Sequence, residues 1–118
     1  MGKKKKDEES RPNIEELKAN KDIKGLIKAM GHEDEDVRMY ASLALVNMDE
    51  SVIDPLINTL TKSKNEDLIW GSIWVLSKMG KPALEPLKKL QKHKSEKVRM
   101  NAQMALDMIY EEGKVFFE

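Results

Sequence analysis

The sequence predicts an all-α fold, a solenoid of three stacked helix pairs preceded by a short capping helix. Two observations carry this. From Asp34 to Met48, apolar or small residues fall at 37, 41, 44, 45 and 48, the spacing of one buried helix face. The pattern returns in register at Asn65–Met79 and Ser95–Ile109, thirty-one and then thirty residues later. A period near thirty marks an array whose units bury their apolar faces only against each other.

The elements follow in order. Residues 1–11 (MGKKKKDEESR) are nearly all charge and offer nothing to pack, so the reading is a disordered charged tail. The repeat domain is read as 12–112. Asn13 is a candidate N-cap for a helix from Ile14, with Glu15 and Glu16 meeting its dipole. That helix has too few apolar residues for a full repeat and reads as the cap that solenoid ends need.

The first helices of the three pairs are expected at Asp22–Met30, Ser51–Leu60 and Pro82–Leu90. Positions 23, 53 and 84 correspond, as do 26, 56 and 87; all are aliphatic and assigned to the core. Gly25, Pro55 and Pro86 share one place, where a first-turn proline loses no hydrogen bond. Each second helix starts at a good N-cap residue: Asp34, Asn65 or Ser95. Leu68 is assigned to the core with Val37 and Val98. Gly80 suits the left-handed residue that ends a helix. Residues 113–118 form a tail or a carboxy-terminal cap, because Val115, Phe116 and Phe117 are too apolar for a purely solvated end.

Composition narrows the function. The chain of 118 residues has no cysteine, which excludes disulfides and thiolate metal sites and points to a reducing, cytoplasmic setting. No apolar run approaches the length of a membrane span. Net charge is zero, but the segment from Lys78 to Arg99 holds eight basic side chains against Glu85 and Glu96. Lys81, Lys88, Lys89, Lys92, Lys94, Lys97 and Arg99 thus form the basis of an alternative reading, a surface for nucleic acid or an acidic partner.

No catalytic constellation, metal site or cofactor site emerges. His32 and His93 hold equivalent loop positions two repeats apart, roughly 20 Å for helices spaced 8–10 Å, too far to share an ion. The acids Glu33 to Asp36 lack the glycine and late glutamate of a calcium loop and suit a helix start. Nucleophile elbows, phosphate-cradling loops and His-Glu-x-x-His are absent. The informative stripe lies opposite the core. There the three second helices present Met39 and Leu43, Trp70 and Trp74, and Met100 and Met104, followed by Val46, Ser77 and Asp107. A contiguous Trp/Met patch is the composition of an interface. Two outcomes stay open: a partner or a second copy docks there, or the termini of the chain cover it.

The motif Asp-x-x-Val-Arg-x-x-Ala-x-x-Ala-Leu, best kept in Asp36–Leu45 and Lys97–Leu106, resembles the HEAT-like repeats in the short form named after phycobilisome lyases. The middle copy departs, with Ile69 for the arginine and Ser72 for the first alanine. The resemblance implies a right-handed stack of antiparallel helix pairs, with second helices lining one face and a binding or adaptor role. Deoxyhypusine hydroxylase-type members carry iron on His-Glu pairs directly after the arginine. Here those slots read Met39-Tyr40, Trp70-Gly71 and Met100-Asn101, so the resemblance brings no metal and no enzyme activity. The expected partner is another protein, with nucleic acid less favoured and membrane not expected.

Overall fold

The computed structural model describes residues 11–112. Among them are seven α-helices: α1 (Ile14–Ala19), α2 (Ile23–Ala29), α3 (Glu35–Val46), α4 (Ile53–Lys62), α5 (Glu66–Met79), α6 (Leu84–Leu90) and α7 (Glu96–Glu111). Helix α1 packs on α2 and α3, and the pairs are α2/α3, α4/α5 and α6/α7. The second helices α3, α5 and α7 lie side by side as one layer, and the first helices cover one of its faces. This is an α-solenoid of three helix pairs with a short amino-terminal helix at one end. The two terminal segments read above as a charged tail and a carboxy-terminal cap lie outside the described residues, except for Arg11, which pairs with Asp34.

Local chemistry explains where the helices begin. The side chains of Asn13, Asp22, Asp34, Asn65 and Ser95 each accept a backbone N–H of the turn that follows. Gly25, Pro55 and Pro86 all stand third in their helices. In α2 the Gly25 N–H is the donor that Asp22 caps, at 2.9 Å. Proline removes that donor in α4 and α6, and neither helix has a capping side chain. Both are led in by a 3-10 turn instead, Glu50–Val52 and Lys81–Ala83. Gly80 closes α5 at φ 72°, a conformation that costs a glycine little.

One continuous core runs through the stack. Leu26, Leu56 and Leu87 are fully buried at equivalent places in the first helices. Val37, Ala41, Ala44 and Leu45 of α3 are buried, as are Val98, Ala102, Ala105 and Leu106 of α7. The middle copy differs by one position: Leu68 is half-buried, and its neighbour Ile69 is the residue inside. Leu68 turns instead towards Gly31, where an added Cβ would lie 3.1 Å from its Cγ.

Candidate functional site

The candidate face is set by the second-helix layer. Residues on the side away from the first helices have only a flanking second helix to pack against, so side chains in the middle of that side stay in solvent. Four of the six proposed anchors do: Met39 (49% exposed), Leu43 (41%), Trp70 (53%) and Met100 (59%). Tyr40, at 55%, extends the apolar surface on α3. Trp74 and Met104 are half-buried and pack against the core. Their counterpart Leu43 is exposed, so the face is open at its Met39, Trp70 and Met100 row and partly closed one turn further along.

Lys78 supports the closed part. Its ammonium lies 5.6 Å from the centroid of the Trp74 ring and 3.1 Å from the Glu112 carboxylate, joining α5 to the end of α7. Ser77, expected on the stripe, is buried, with its hydroxyl donating to the Trp74 carbonyl at 2.7 Å. Val46 is half-buried and Asp107 exposed. Polar links edge the row: Arg38 reaches Asp67 at 3.9 Å and Lys97 reaches Glu66 at 2.6 Å, each across a repeat boundary.

The basic residues of the third repeat lie on α6, its lead-in turn, the loop after it and the start of α7. Lys81 precedes α6, while Lys88, Lys89, Lys92 and Lys94 surround its far end. Lys88 is 3.8 Å from Glu85, and Lys97 is engaged by Glu66. Arg99 turns inward, donating from Nη1 to the carbonyls of His93 and Lys94 at 2.6 and 3.1 Å.

Arg99 belongs to a loop-closing device that recurs. Arg38 donates in the same way to His32 and Glu33, at 2.9 and 3.1 Å. In both loops the histidine Nδ1 accepts the N-cap residue's backbone N–H at 3.0 Å, from Asp34 and from Ser95. The histidines are therefore structural acceptors. The middle loop places Ser63 at that position, and its hydroxyl oxygen accepts from the Asn65 N–H at 3.1 Å. Sequence reasoning noted the equivalence of His32 and His93 without this role. The signal was present: three residues with acceptor side chains, each two before an N-cap.

Among the described residues there is no cluster of three or more His, Asp or Glu placed to hold a metal, and no helix long and apolar enough to cross a membrane. Neither curated proteins nor solved structures gave a match to this chain. A profile of HEAT repeats does match, over residues 23–113, which takes in all three helix pairs. Such repeats generally serve contacts between proteins and are typically scaffolds, not enzymes. The chain belongs to the HEAT repeat family.

Proposed function

We propose that this chain is a small scaffold that binds a protein partner on its second-helix face, with Trp70 as the central anchor. The observation that carries the reading is the row of Met39, Trp70 and Met100, each about half exposed on adjacent parallel helices. Soluble proteins seldom leave three large apolar side chains in line unless something covers them. Trp and Met are also types that interfaces over-use. Trp74 and Met104 form the rear wall of the site, and Leu43 and Tyr40 its border on α3.

The test compares wild-type bait with Met39→Ala/Trp70→Ala/Met100→Ala in recovery from native cell extract, and checks self-association by sedimentation. The triple variant should keep its helical content and lose the partner, with a loss of at least about 2 kcal/mol in affinity for a recovered and purified binder. Trp70→Ala alone should move stability by under about 0.5 kcal/mol, as exposed substitutions do. Trp74→Ala should cost about 2 kcal/mol, because its ring packs on the core. Equal recovery by wild type and triple variant would overturn the reading. Loss of binding in Lys88→Glu/Lys89→Glu together with a steep fall in affinity with salt would move the site to the basic third repeat.

A further inference from the structure

The junction between the second and third repeats is built differently from the one before it. At the first junction Gly71 lies against Met30: a Cβ on Gly71 would stand 2.9 Å from the fully buried Met30 sulfur. One repeat on, the first-helix register places the buried Leu60 where Met30 stands, and Asn101 takes the place of Gly71. Between the end of α4 and the start of α7 lies a groove of about 220 Å³, lined by Leu60, Thr61 and Asn101 among others. Ile69 forms part of its wall, standing where Arg38 and Arg99 close the outer loops, so no guanidinium closes this one.

The groove's lining is positive. Lys62, Lys64 and Lys97 all contribute, and no acidic residue does. Lys97 is shared with Glu66, whose charge it offsets at 2.6 Å, while Lys62 and Lys64 are exposed and have no ion pair among the described residues. The amino terminus of the sixteen-residue α7 also opens here through Ser95, Lys97 and Val98. Among the described residues the Ser95 hydroxyl accepts only the Val98 N–H, at 3.3 Å, and the N–H groups of Glu96 and Lys97 have no cap. Asn101 is the independent observation. It is nine-tenths buried, lines the groove, and its carboxamide makes no hydrogen bond among the described residues. Among the described residues Ser72 Oγ is the one enclosed side-chain polar atom without a partner, so the Asn101 amide opens to solvent through the groove, where an anion can accept from it.

We propose that this groove is an anion site that takes a single carboxylate or phosphate group. The Asn101 amide and the uncapped N–H groups of α7 donate to its oxygens, and Lys62 and Lys64 supply the opposing charge. The site is separate from the Trp70 face and does not rest on the reading given to that face.

The test follows the Asn101 side-chain amide and the Glu96 and Lys97 backbone amides by NMR. Isotope-labelled full-length chain is titrated with sodium phosphate and, separately, with sodium acetate, at constant ionic strength. These three signals should shift together and saturate, and the salt that saturates them at lower concentration identifies the group the site prefers. Lys62→Glu/Lys64→Glu and Asn101→Leu should each weaken the response about tenfold or more, the loss expected when a hydrogen bond to a charged group is removed. Lys88→Glu/Lys89→Glu, outside the groove, should leave it unchanged. If Asn101→Leu fails to fold, the exposed lysine pair decides alone. Shifts that never saturate with either salt, or that saturate equally in wild type and the Lys62/Lys64 variant, would overturn the site.

Discussion

The middle repeat and its two neighbours keep one register but close their joints with different side chains. In the outer repeats an arginine four residues after the N-cap ties back to two loop carbonyls, and a histidine two residues before the N-cap accepts from it. The middle repeat keeps the acceptor, as Ser63, and replaces the arginine with Ile69. Position 69 is covered and only 3% exposed, whereas Arg38, which reaches Asp67 on the neighbouring α5, and Arg99 both keep contact with solvent. A guanidinium held under that cover would be desolvated, and an isoleucine is not penalised. The loop-closing arginine is thus a device for positions that solvent still reaches. Where the position is sealed from solvent, apolar packing substitutes for it.

The largest effect is expected where this comparison is broken directly. Ile69→Ala removes a buried aliphatic side chain from between α5 and its neighbours. It should cost about 2–4 kcal/mol, a large share of the 5–15 kcal/mol of a small domain. Leu68→Ala, one residue away, should cost about 1 kcal/mol, because Leu68 is only half-buried. Urea denaturation of the two variants checks the order. Equal losses, or the greater loss at 68, would put the middle helix back in the phase its spacing alone suggests.

A smaller effect of opposite sign tests the second departure of the middle repeat. Ser72 stands where the outer copies have Ala41 and Ala102, and all three positions are fully buried. Its hydroxyl oxygen has no hydrogen-bond partner among the described residues. Ser72→Ala removes the unsatisfied group and adds a better helix former, so stability should rise by about 1 kcal/mol. In thermal melts that is an upward shift of about 4 °C. A variant that melts at or below wild type would mean that the hydroxyl has a partner in solution.

These contrasts also show what the amino-acid order makes legible. The repeat, the helix pairing and the N-caps at Asn13, Asp34, Asn65 and Ser95 depend on residues close in sequence, and local chemistry decides them. The choice between Leu68 and Ile69 does not, since both are aliphatic and only the packing of neighbouring repeats selects one. The face shows the same division. That Met39, Trp70 and Met100 lie opposite the core follows from helical spacing; that Trp74 sinks while Leu43 stays exposed depends on Lys78 and the end of α7. The Asn101 groove was outside the reach of periodicity altogether. It is formed by the end of α4 and the start of α7, and its lining brings together residues such as Thr61 and Asn101 that are forty apart in the chain.

The smallest effect lies at the lead-in to the middle repeat, where Asp49 stands at the position that Gly80 fills one repeat later. Gly80 makes its turn by backbone conformation, at φ 72°. Asp49 makes its turn by side chain: Ser51 donates its hydroxyl and its backbone N–H to the carboxylate. The hydroxyl contributes most, the backbone N–H next, and together they hold the Asp49 carboxyl below the usual aspartate value of 3.8. A carboxyl with a lowered folded value binds its proton less readily in the folded chain than in the unfolded one. Its contribution is therefore complete above the unfolded value and fades as pH falls through the lower folded one. Asp49→Ala should melt slightly below wild type at neutral pH, and the gap should close in acid below pH 3.8. No such closing is expected for a substitution at Gly80, because backbone conformation does not titrate. A gap for Asp49→Ala that is constant from neutral pH into acid would show that the turn is held by the chain's shape at both lead-ins, and that the capping hydrogen bonds add nothing.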